Sequence, residues 1–371
     1  MSYLVLGLAI ILGYVAVITV RKTRARRWAL TAYDAPAYGM VPRDRLDPGR
    51  AGPPPPRHLR QERQAIADAA WAGNWKPAAA YVEAAGQDWD ERWLRFELLD
   101  SVARRDEGWL RAWRAAEPGS CDAAALEAHR MVRAAWAVRG SGQADEVPEA
   151  DMRAFRAMLP AAIEAARRAA RLDPANPAPW VVMVAAARGA RYTPKQFREL
   201  WRGLVERAPY HYEGHWQGMQ YWCAKWLGSD KKMLAFARRA IKVAPAGSPL
   251  PGLYLHALGE LERRGTLGAT LGGELGRQPV RKVAAALARV PPNDERLTLL
   301  RHLLAYYAGR AELYRIALEQ FRAIGPWCGC QPWTNAADPV AAFDSARGTA
   351  VRLSRAKPLP PELRPKAARQ H

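Results

Sequence analysis

RLDPANPAPW (Arg171 to Trp180), ERAPYHYEGHW (Glu206 to Trp216) and KVAPAGSPLPGLY (Lys242 to Tyr254) are three versions of one pattern. In each, an Ala- or Arg-rich helical run reaches a small or acidic residue, is broken by a proline, and restarts at an aromatic. The breaks at Pro174, Pro209 and Pro245 are spaced 35 and 36 residues apart. Two helices per unit at a period in the mid-thirties is the signature of stacked helical hairpins, because a single hairpin cannot bury its own apolar face. The pattern predicts an all-α chain in which Trp180, Trp216 and Tyr254 begin equivalent helices.

Composition sets the outer limits. With 371 residues, 49% of them apolar, the chain can bury a large core as one array or as two units, which excludes disorder for most of it. The formal charge of +20 would attract a polyanion. The basic residues, however, are mostly Arg, spread along helices and interleaved with acids, as a GC-rich genome would produce without a dedicated polyanion site. The four cysteines, Cys121, Cys223, Cys328 and Cys330, match neither a disulfide framework nor a full zinc pattern, and read as reduced thiols.

Working outward to the N-terminus, Ser2 to Val20 is an uncharged run of 19 residues. As a helix it would span roughly 28 Å, near the thickness of a bilayer core. A secretory signal would carry its basic residues ahead of the apolar run, whereas here Arg21, Lys22, Arg24, Arg26 and Arg27 come after it. The positive-inside rule then predicts a single-pass anchor over residues 1–27, with the rest of the chain cytoplasmic at the cell membrane. Residues 28–60, rich in proline and carrying GPPPP at Gly52 to Pro56, are expected to be an extended linker. Residues 61–335 are expected to form the helical-repeat domain, and residues 336–371 a capping helix from Asp338 to Ala356 followed by a basic disordered tail.

The segment ADAAWAGNWKPAAAYVEAAG (Ala67 to Gly86) and the small residues Ala162, Ala166 and Ala169 ahead of Pro174 resemble a tetratricopeptide unit. Met233, where that pattern wants a small residue, departs from it. The resemblance implies a divergent α-solenoid of tetratricopeptide type. The block from Trp222 to Ser248 also resembles an uncharacterised family of bacterial helical proteins, which supplies no activity.

Several groups are candidates for chemistry. His211 and His215 share one helical face as two metal ligands would, but Glu213 between them does not make the H-E-x-x-H arrangement. Cys328 and Cys330 lack the partners of a four-ligand site, and a loop packed between Trp327 and Trp333 is the simpler reading. The glycine-rich stretch Gly265 to Arg277 lacks the G-K-[ST] ending of a phosphate cradle and reads as a flexible inserted loop. The i, i+4 tryptophan pairs Trp71/Trp75, Trp89/Trp93, Trp109/Trp113 and Trp222/Trp226 suit helix packing, or in the last case a binding face. Trp222 and Trp226, with Lys225, Lys231 and Lys232, form the candidate partner-binding patch, suited to an acidic, partly apolar peptide.

No catalytic set is complete, and no cofactor is expected. The sequence therefore predicts a membrane-tethered scaffold that binds a protein or peptide partner. The alternatives are an enzyme using His211, Glu213 and His215 or the Cys328/Cys330 pair, and a binder of nucleic acid or anionic lipid through Arg-rich helices.

Overall fold

The computed structural model describes residues 33–140 and 147–364. The apolar run, its basic flank and the last seven residues lie outside them, and the expected membrane anchor with them. Among the described residues no helix is long and apolar enough to cross a membrane. The described chain is all-helical, with no β-strand and a single isolated bridge. It divides into two compact units, 55–245 and a second that joins the N-terminal residues up to 54 with 246 onward. The region 61–335 expected to form the helical repeats spans parts of both units.

The first unit holds α1 (Arg57–Trp71), α2 (Lys76–Glu83), α3 (Trp89–Ala103), α4 (Gly108–Ala116), α5 (Cys121–Arg139), α6 (Glu149–Leu172), α7 (Ala178–Ala187), α8 (Pro194–Arg207), α9 (Tyr212–Tyr221) and α10 (Asp230–Val243). The repeated pattern shows its cause at the ends of α6, α8 and α10. The residues before the three prolines, Asp173, Ala208 and Ala244, all leave the helical region, with ψ of 100°, 80° and 132°. A proline ring crowds the preceding residue out of αR, so each helix ends there. The restart is equally local. His211 caps α9, and the side chains of Thr193 and Gln196 close a capping box on α8.

Helix α7 is the centre of this unit, with every residue buried from Val181 to Ala187. It packs on α5, α6, α8 and α9. The small residues of α6 allow the close approach: Ala162, Ala166 and Ala169 are fully buried. The tryptophans largely divide as helix packing requires. Trp109 and Trp113 are fully buried, and Trp113 stacks on Trp75 with ring centroids 6.1 Å apart.

In the second unit, α11 (Leu253–Arg263), α12 (Leu267–Leu271), α13 (Gly273–Leu287), α14 (Arg296–Arg310), α15 (Tyr314–Ile324) and α16 (Pro339–Ser354) surround a core that includes Tyr254, Tyr307, Phe321, Trp333 and Phe343. Here three expectations are corrected. The glycine-rich stretch is not a flexible loop: it forms α12 and the start of α13, with Gly265 and Gly273 supplying the positive φ of the two turns. Residues 34–54 are not a free extended spacer, because Ala35, Ala37, Met40 and Leu46 are buried. Their apolar residues are few, but their backbone and neighbours are well matched. Arg347, buried in α16, pairs with Asp344 at 2.7 Å and donates to the Val41 carbonyl at 2.8 Å. Arg322 donates to the Tyr38 carbonyl at 2.7 Å, and the neutral His302 ring bridges the Ala51 carbonyl (2.7 Å) and the Trp333 indole N–H (2.9 Å). Finally, the described part of the tail, residues 357–364, packs on the fold, with the Leu359 amide donating to the Ala37 carbonyl at 2.6 Å. The capping helix itself is present as α16, started by the Asp338 side chain accepting from the Ala341 amide at 2.9 Å.

Candidate functional site

The aromatic and cationic patch is not carried on one helical face. Helix α9 ends at Tyr221, and residues 222–228 form a turn. Trp222 and Trp226 therefore turn to different neighbours. The Trp222 ring meets Phe197 and Tyr221 edge to face, at 5.5 and 5.0 Å, while Trp226 meets Trp136 at 5.4 Å. Both indoles remain half-buried. Lys225, Lys231 and Lys232 are exposed, and the Lys232 ammonium lies 5.6 Å from the Trp222 ring. Beside Trp226, the Arg188 guanidinium lies within 6 Å of Trp136, Trp216 and Trp226 together and donates to the Gln217 side chain.

His211 and His215 are both buried, and the Nδ1 of each is engaged with backbone close by. The His211 Nδ1 accepts the Gly214 amide at 3.2 Å as a helix cap, and its ring meets Trp93. The His215 Nδ1 lies 3.0 Å from the His211 carbonyl, and its ring meets Trp201. Burial pushes His215 down to about 4, so it stays neutral in the folded chain. Cys328 is fully buried with its thiol pushed up to about 11 by burial, and Cys330 is half-buried. Their segment runs alongside residues 47–50, where the Cys328 amide donates to the Asp47 carbonyl at 2.9 Å and the Gly329 amide to the Arg50 carbonyl at 2.8 Å. A side chain on Gly329 would collide with the Pro48 carbonyl, so the glycine permits this approach. The pair belongs to a packed loop.

A constellation that no stretch of the sequence brings together sits between α3 and α5. Glu97 and Asp100, three residues apart on α3, face His129 of α5, and their candidate ligand atoms all lie within 4.8 Å of one another. Asp100 is fully buried and His129 nearly so. Both nitrogens of the His129 ring, and Oδ2 of Asp100, are buried without a hydrogen-bond partner. The Nε2 atom lies 3.9 Å from Glu97 Oε1, too far for a hydrogen bond. Trp93 and Phe96 meet the imidazole edge to face, each at 5.5 Å, and hold its plane. Around this core, Arg130 binds Asp100 Oδ1 at 3.2 Å and Glu107 at 2.9 Å, while Arg104 and Arg133 stand 3.6 and 3.7 Å from Asp100 Oδ2. Burial, reinforced by the charges of Glu213 and Asp100, pushes Glu97 up to about 7, and burial pushes His129 down to about 4.

The signal for this group in the sequence is faint. Acids at i, i+3 within the apolar run LRFELLDSV, and one histidine in an Ala-rich helix, are each ordinary alone. Only the fold shows that α3 and α5 face each other at those positions. No protein-family model, curated protein or solved structure matches the chain.

Proposed function

We propose that the chain is a membrane-tethered helical-repeat scaffold, a divergent solenoid of tetratricopeptide type, whose cytoplasmic helical part binds a protein or peptide partner. The observation that carries the binding half is the half-buried Trp222, with the Lys232 ammonium 5.6 Å from its ring, next to half-buried Trp226 and exposed Lys225 and Lys231 in the same stretch of chain. Indoles give contact area at low entropic cost, and surface cations steer an acidic, partly apolar peptide towards them. The uncharged run from Ser2 to Val20 and its basic flank carry the tether.

Retention of immobilised acidic peptides containing aromatic and leucine residues tests the binding half. The double reversal Lys225→Glu and Lys232→Glu should abolish retention while leaving the melting temperature unchanged. Equal retention by the variant would remove the patch from consideration. The tether is tested by sedimentation: the intact chain should accompany membranes through a high-salt wash, and recovery in the supernatant would refute it. Because Cys121, Cys223 and Cys328 are buried, a membrane-impermeant thiol probe reports topology through Cys330. Intact cells should leave it unlabelled.

A further inference from the structure

We propose that Glu97, Asp100 and His129 form a binding site for a first-row divalent cation, Zn²⁺ or Mn²⁺, that ties α3 to α5. Two acids on one helix would not suggest this by themselves. The independent observation is His129: a nearly fully buried imidazole, with neither ring nitrogen hydrogen-bonded, whose Nε2 faces Glu97 at 3.9 Å. Buried polar groups are almost always paired, so a fixed imidazole with two idle nitrogens calls for a missing partner. Oδ2 of Asp100, in the same space, accepts no hydrogen bond and meets only the longer ion pairs to Arg104 and Arg133.

The geometry needs little adjustment. Ligands across an ion bound at about 2.0–2.2 Å are about 4 Å apart at most, so atoms within 4.8 Å of one another close on it by a shift of under about 1 Å. Glu97, whose side chain is 40% exposed, has the freedom to make that shift and opens the site to solvent. Arg130 grips the other oxygen of Asp100, leaving Oδ2 to the ion and fixing the carboxylate as an outer-shell partner does.

The donor set narrows the cation. One imidazole nitrogen with two carboxylate oxygens suits zinc or manganese, whereas calcium and magnesium favour all-oxygen shells and copper(I) favours sulfur. Two side chains oppose binding. Arg104 and Arg133 bring positive charge to Asp100 Oδ2 without hydrogen-bonding it, and both are about half-exposed, so each can swing towards solvent as the ion enters.

The experiment is calorimetric titration of the chelator-stripped full chain with Zn²⁺ and, separately, Mn²⁺. One ion should bind per chain. Glu97→Gln, at a partly exposed position that tolerates the change, should weaken binding by at least the roughly 10- to 100-fold that loss of an outer-shell partner causes. His129→Phe keeps the aromatic contacts and should remove binding together with any ion-dependent rise in melting temperature. Arg133→Gln should tighten binding by relieving the competing charge, a response that a merely structural cluster would not give. Cys330→Ser should leave binding unchanged. Absence of uptake, uptake indifferent to Glu97→Gln, or uptake abolished by Cys330→Ser would each overturn the assignment.

Discussion

At single positions, the fold is decided by how much room a side chain is given. Gly203 of α8 lies against the Trp180 ring of α7, where an added Cβ would collide with the indole. Gly203→Ala should therefore destabilise by about 1–3 kcal/mol, the usual cost of overpacking, measurable as a drop in the urea midpoint. Combining it with Trp180→Phe should recover part of the loss, because the clash is with the indole's six-membered ring. Trp113 is the opposite case, fully buried and stacked, and Trp113→Ala should cost about 3–5 kcal/mol in the same measurement. The sequence shows which residues are large. It does not show which of them the core takes, because Trp113 and Trp226 both belong to i, i+4 pairs and only the course of the chain separates them.

For the helices, the breaks are readable because their cause is local. A proline acts on the residue before it, so Asp173, Ala208 and Ala244 leave the helix wherever the rest of the chain goes. The capping box on α8 is local in the same way, and Thr193→Ala should cost about 1 kcal/mol of stability, seen by chemical denaturation. Other features depend on distant partners, and local pattern points the wrong way for them. The glycine-rich stretch becomes helical where Leu267 and Leu271 find a core to enter, and a proline-bearing segment is held by Arg322 and Arg347, 284 and 306 residues beyond the carbonyls they bind. The facing of Glu97 and Asp100 with His129 is of this second kind. No window of sequence contains both halves.

Across the whole molecule, folding keeps buried histidines neutral: His129 and His215 in the first unit and His256 in the second are all pushed down to about 4, chiefly by burial. An unfolded histidine titrates near 6.5, so between there and about 4 the unfolded chain binds more protons than the folded one. Their contribution is complete above about 6.5 and is lost as the pH falls, at up to about 1.4 kcal/mol per pH unit for each group. Melting temperature should fall steeply from pH 6.5 to 4, and His256→Gln should flatten that slope. The second unit has another property, in that its two parts lie at opposite ends of the chain, with 55–245 inserted between them. During synthesis the first unit is complete while residues 34–54 still lack every helix they pack on. At roughly 5–20 residues per second, their burial waits some ten seconds or more for α14, α15 and α16 to leave the ribosome. A chain stopped after Pro245 would carry a finished first unit and a permanently uncovered leader, with Ala35, Ala37, Met40 and Leu46 presented to whatever chaperone or protease is near.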